Sequence, residues 1–158
     1  MRKYEVLQFT YGHIKAESLK EWDLSLMESG FPYDELEGEY KPWQHIAVIQ
    51  NDIWSGWEAV SEAAEGLLAN RQTKEIKPYM QRGIVLFLSI LFWSNKKPVN
   101  LDELNEELQA MAHKPVNVDE RISYILHRPN TYPAFMQLKS LMEEQKKMVA
   151  KLIALKKL

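Results

Sequence analysis

The side chains able to do chemistry in this 158-residue chain are plentiful but poorly spaced for familiar reactions. Asp34, Glu35, Glu37 and Glu39 crowd around Gly38 and offer oxygen ligands to a hard cation. They lack the ligand order and the glycine of a calcium loop, so a solvated acidic loop is favoured. Glu58, Glu62 and Glu65 share one face of a predicted helix, where carboxylates of a bundle metal site would stand. Di-iron bundles combine such residues with Glu-x-x-His pairs. Here Thr10, Pro42, Ala110 and Tyr124 occupy the places three before the histidines. His13, His45, His113 and His127 are scattered, without the His-Glu-x-x-His spacing that binds zinc. Zero cysteines remove disulfides, thiolate metal sites, iron–sulfur clusters and cysteine nucleophiles together. No glycine-rich phosphate loop, dinucleotide fingerprint or Gly-x-Ser-x-Gly elbow is present. The expectation is therefore no metal, no cofactor and no catalytic residue that spacing alone identifies. Catalytic groups converging from distant parts of the chain stay open.

Binding chemistry has a better candidate. Arg121 and His127-Arg128 precede an elbow bounded by Pro129 and Pro133 and carrying Asn130, Thr131 and Tyr132. Guanidinium and tyrosine are favoured at protein-binding hot spots, which makes Arg121, His127, Arg128 and Tyr132 the candidate binding residues. The structural alternative has Arg128 bonding elbow carbonyls or pairing with a carboxylate of the acidic half. Residues 101–128 also have the outline of a helix-turn-helix. Its second helix would begin with Asp119 and Glu120, which repel phosphate where a reading helix needs base contacts. The five tryptophans, Trp22, Trp43, Trp54, Trp57 and Trp93, suggest core packing more than an aromatic cage or a base-stacking platform. An exposed Trp54 would argue for the platform.

The elements that must position these residues read as helices. Leu19, Trp22, Leu26 and Met27 recur at three- and four-residue steps and predict a helix over 16–28, stopped by Gly30 and Pro32. Pro42 opens a long helix to about 69, with bends plausible at Asn51-Asp52 and Gly56. A polar connection over 70–77 leads to Pro78 and a third helix. Its 84–93 stretch is apolar all round and belongs in the middle of a bundle. Ten residues are too few for a membrane span, which needs about 20. Lys97-Pro98-Val99-Asn100-Leu101-Asp102-Glu103 is echoed by Lys114-Pro115-Val116-Asn117-Val118-Asp119-Glu120. Each reads as a capping box, with Val99 and Val116 as staples, predicting helix starts near 101 and 118. Thr131 is a fair cap for the last helix. Its seam of Leu138, Leu141, Gln145, Met148, Leu152 and Leu155 either closes a bundle or zips to another chain.

Composition sets the frame: 46% hydrophobic and 27% charged residues match an ordinary globular protein, with enough chain for a real core. The net charge of −2 conceals a polarity. Residues 1–66 hold 5 Lys/Arg against 13 Asp/Glu, while residues 67–158 hold 15 against 9. Such a layout either attracts one half to the other or steers a charged partner, and the first is the plainer use.

The rear half carries a resemblance. Leu91-Phe92-Trp93-Ser94-Asn95 with Pro98-Val99 is followed by Lys114-Pro115-Val116-Asn117, Glu120-Arg121 and Arg128-Pro129. With Tyr132, Gln137-Leu138, Leu141 and Glu144, this wording resembles the YpoC-like family of small bacterial proteins from about residue 84 onward. The resemblance implies a cytoplasmic bacterial protein of unestablished function and supplies no catalytic residues.

These observations combine into one expectation. It is an all-α, single-domain bundle of about six helices across 1–158, with residues 1–13 as an extended arm. Its role would be non-catalytic interaction in the cytoplasm, with a protein partner or self-association through the C-terminal helix, and no membrane. A nucleic-acid-associated domain using the basic rear half is the alternative. A small-molecule or metal-dependent enzyme comes third.

Overall fold

The computed structural model describes residues 4–158. Six α-helices occur among them: α1 Pro32–Glu35, α2 Ile46–Ala69, α3 Lys77–Ser94, α4 Leu104–Ala110, α5 Val118–His127 and α6 Tyr132–Ala154. Short 3₁₀ turns at Glu5–Leu7, Ala16–Lys20, Leu24–Ser29, Pro42–Gln44 and Thr73–Glu75 complete the regular structure, and the described residues hold no strand. The all-α expectation holds.

Every residue of α3 from Gly83 to Ser94 is buried, as a sequence apolar at all but Ser89 and Ser94 requires. α2 and α6 flank it, and α5 packs against α6. Each fully buried Leu, Ile or Phe in this stretch removes apolar surface worth about 1.5–3 kcal/mol. Gly83 lets the wall close tightly: a Cβ there would lie 2.9 Å from both Leu138 Cδ2 and Trp57 Cζ3. Trp57 in turn stacks on Phe135 of α6 at 6.2 Å. α2 runs through Asn51-Asp52 and Gly56 without a break. Trp54 is 8% exposed beneath Lys146, whose ammonium lies 5.9 Å from its ring, so this tryptophan is core and not a stacking platform.

Three helix ends carry no glycine signal. Two residues beyond the ends of α2, α3 and α6 stand Arg71, Lys96 and Lys156, each with a left-handed φ of 55–61°. The following amides then reach back to Leu67, Phe92 and Leu152 carbonyls, satisfying groups a helix end leaves open.

The predicted 16–28 helix is instead two 3₁₀ turns separated by extended backbone at Glu21 and Asp23. A long-range clamp breaks it. The Tyr33 hydroxyl donates to the Glu21 carbonyl at 2.5 Å and accepts from the Asp23 amide at 2.9 Å. Asp23 then caps the second turn through Ser25 N–H at 3.0 Å. The expected extended arm is also different where it can be described: Val6 and Leu7 sit buried in a 3₁₀ turn. Residues 1–3 of that arm lie outside the described residues.

The paired capping boxes form only in part. Asn100 Oδ1 accepts from Glu103 N–H at 3.3 Å, but α4 begins at Leu104. α5 does begin at Val118, yet Asn117 has φ 57° and makes no side-chain cap bond, while Val116 is 75% exposed and staples nothing. Thr131 caps α6 as its sequence suggests, accepting from Ala134 N–H at 3.3 Å.

Asp34 overturns the solvated reading of the acidic loop at its first residue. Its Oδ2 accepts from Trp93 Nε1 at 2.8 Å and from the Val99 amide at 2.7 Å, fastening α1 to the end of α3 and the loop beyond. Oδ1 is buried without a hydrogen-bond partner. Burial pushes the carboxyl up to about 7, although the two N–H donors pull the other way. Around this clamp Trp22 stacks on Tyr33 at 5.6 Å and meets Trp93 edge-on at 5.8 Å.

Candidate interaction surface

The proline elbow turns the chain from α5 into α6, so side chains from both helices meet on one side. Thr131 Oγ1 donates to the Arg128 carbonyl at 2.9 Å while capping α6, which fixes the elbow angle. Arg121 then bolts the helices together. Its Nε donates to Gln137 Oε1 at 3.0 Å, Nη1 to Glu144 Oε1 at 3.0 Å, and Nη2 to Glu144 Oε2 at 2.5 Å. Nη1 also donates to the Val116 carbonyl at 3.1 Å. A guanidinium held in this two-pronged way is a rigid frame for its neighbours, with its donors already engaged.

The other candidate residues separate. Tyr132 is 58% exposed at the start of α6. His127 turns to the N-terminal segment: its Nδ1 lies 2.7 Å from the Ser123 carbonyl, and its ring meets Tyr4 edge-on at 5.3 Å. Arg128 contributes its carbonyl to the elbow, and its guanidinium makes no ion pair or hydrogen bond among the described residues. The structure thus sets Arg121 and Tyr132 along two different furrows that meet only at Met136, and leaves His127 in a separate contact.

Tyr124 and Met136, not singled out from sequence, also line these furrows at 50% and 41% exposure. Helical spacing was the available signal, since Tyr124 follows Arg121 by three residues and Met136 follows Tyr132 by four. A groove of about 560 Å³ runs between Arg121, Tyr124, Pro133, Met136 and Ser140. A second, of about 300 Å³, lies between Leu68, Ala69, Tyr132, Met136 and Lys139. Met136 borders both, so the surface is an apolar ridge between two furrows.

The sequence seam of α6 is largely spent inside the fold. Leu138, Leu141, Gln145 and Leu152 are buried there. Gln145 Nε2 donates to Ser94 Oγ of α3 at 2.7 Å. The charge polarity is partly met within the molecule by two exposed pairs, Lys77–Glu5 at 2.6 Å and Lys139–Glu65 at 2.8 Å. Lys77 beside Glu5 holds that carboxyl below its ordinary value, and Glu65 raises the Lys139 ammonium. With Glu65 so engaged, Glu58 and Glu62 stand exposed on α2. Among the described residues no group of three or more His, Asp or Glu side chains is placed to hold a metal ion. No helix among them is long and apolar enough to cross a membrane.

All but the first two residues of the arrangement from α2 to α6 falls within one recognised family unit. The model of the YpoC-like protein family matches residues 48–157. The chain belongs to the YpoC-like family. The match reaches forward through α2, well beyond the rear-half wording noted above. A Bacillus subtilis relative is 30% identical over 114 residues, covering 72% of this chain and 69% of its own length. That relative is described only as the uncharacterized protein YpoC, so the family supplies no reaction or ligand. No solved structure matches the chain.

Proposed function

We propose that this is a cytoplasmic, non-catalytic interaction domain that works through the outer face of α5 and α6, with a second copy of itself as the partner. The supporting observation is the exposed Met136 lying between two furrows, one edged by Tyr124 and the other by Tyr132, on a frame held by Arg121 and Glu144. A twofold contact places the same patch on both partners, so it needs raised and hollow parts within one surface. This face has both. The ridge of one copy fits a furrow of the other and covers Tyr124, Tyr132 and Met136, side chains that are otherwise half open to water. Charge agrees with an antiparallel crossing of α6 about Met136. Seven residues beyond the axis, Glu143 of one copy would then meet the elbow at position 129 of the other, beside the unpaired Arg128.

Sedimentation of the full chain tests this reading. A reversible dimer is expected, and Met136→Glu on the exposed ridge should return it to monomer, with a melting temperature equal to that of wild type measured at dilutions where wild type is itself monomeric. A monomer at the highest soluble concentration refutes the reading. A dimer untouched by Met136→Glu or Tyr132→Glu refutes it as well.

A further inference from the structure

A separate crevice of about 300 Å³ opens between the Leu24–Ser29 turn, the middle of α2 and α3. It shares no lining residue with the α5–α6 furrows. Leu24, Met27, Val60 and Leu86 give it an apolar lining. Gly56 also lines it, deep inside α2, where glycine weakens a helix. Its backbone is not left-handed, so no turn demands a glycine there. A Cβ would come 3.3 Å from Leu24 Cδ2 and 3.6 Å from Leu86 Cδ1, side chains of the two opposing walls. The missing side chain therefore leaves a space of about one methyl group between those walls.

Its rim holds one charge of each sign, Glu28 and Arg82, both exposed. Neither forms an ion pair among the described residues, and Arg82 only overlies the Tyr79 ring at 5.8 Å. An apolar cleft with a single cation would suit a fatty carboxylate, and one with a single anion an aliphatic amine. Two opposite charges on one small cleft suit a molecule carrying both. We propose that this crevice binds a small zwitterion with an apolar side chain, an α-amino acid of the leucine class. Arg82 takes the carboxylate through its planar fork, Glu28 takes the ammonium, and the side chain covers the apolar lining. The volume lies at the small end of ligand sites, about 300–1,000 Å³, as a ligand this size requires.

Amide NMR titration of the full chain with L-leucine is the test. Saturable shifts are expected across the Leu24–Ser29 turn and around residues 56–60. Isocaproate, lacking the ammonium, and isoamylamine, lacking the carboxylate, should each bind about two- to fivefold more weakly, the cost of losing one solvent-exposed charge-assisted contact. Glu28→Gln and Arg82→Gln should each weaken leucine by a similar factor at an unchanged melting temperature, and Gly56→Ala, which fills part of the crevice, should weaken it too. No saturable shift with leucine overturns the proposal. So does equal binding of N-acetyl-leucine amide, which keeps the apolar group and loses both charges, or indifference to the two glutamine variants.

Discussion

Replacing Asp34 by asparagine separates what this buried carboxylate does by shape from what it does by charge. The amide keeps an oxygen for Trp93 Nε1 and the Val99 amide, the two donors that the carboxylate serves now. It removes the proton. Burial raises the folded-state pKa from 3.8 to about 7. Between those values the unfolded chain has released its proton while the folded chain still holds one, so stability falls as pH rises. Each unit costs about 1.4 kcal/mol, and roughly three units give about 4 kcal/mol as an upper bound. Set against the ~5–15 kcal/mol that holds a domain folded, this is a large slope for one residue. Below the unfolded value both chains are neutral here, and above about pH 7 the penalty is complete. Urea unfolding of wild type and Asp34→Asn from about pH 4 to about pH 8 reads the effect as the difference between the two curves. Asp34→Asn should gain on wild type steadily across that window and hold a constant lead above it. A difference that stays flat, or that favours wild type as pH rises, would refute a buried carboxyl held protonated by desolvation.

Gly83→Ala should destabilise by about 1–3 kcal/mol despite the better helix propensity of alanine, because its methyl would press on the rigid Trp57 ring. Equilibrium unfolding measures it, and Trp57→Leu should relieve most of the loss in a double-variant cycle. Arg121→Lys should cost nearly as much as Arg121→Ala, about 1–2 kcal/mol, since one ammonium cannot reproduce the fork shared by Gln137 and Glu144. Lysine restoring full stability would show that charge alone matters at that position.

The long helices were legible because their evidence is local. α2 follows from its apolar stripe, α3 from a run apolar at every position of 84–93 but Ser89, and α6 from Thr131 and its three–four spacing. The failures sit where distant residues decide. Nothing near Asp34 announces that Trp93 and Val99 will bring donors to it from 59 and 65 residues away. Nothing within 16–28 reveals that Tyr33 will hold Glu21 and Asp23 extended. Asn117 had the right neighbours for a cap but adopts a left-handed backbone that turns its side chain from that task. At the interaction surface, residue type found Arg121 and Tyr132, while burial alone distinguishes the fixed guanidinium from the open ring. Helical spacing puts Tyr124 beside Arg121 and Met136 beside Tyr132, but the α5–α6 pairing that sets Tyr124 and Met136 along one groove is encoded within neither helix.

The all-round burial of α3 also sets the order of events during synthesis. α2 precedes it and can shelter one flank as soon as both leave the ribosome. The flank that α6 covers must wait, because 60 residues separate Ser94 from Ala154. At about 5–20 residues per second the delay is about 3–12 s, much longer than the time a small chain takes to collapse. For that interval the growing chain displays the most apolar sequence it has. Chaperones that hold nascent chains would find their binding site there, and a ribosome stalled ahead of α6 would leave a product marked for aggregation or proteolysis.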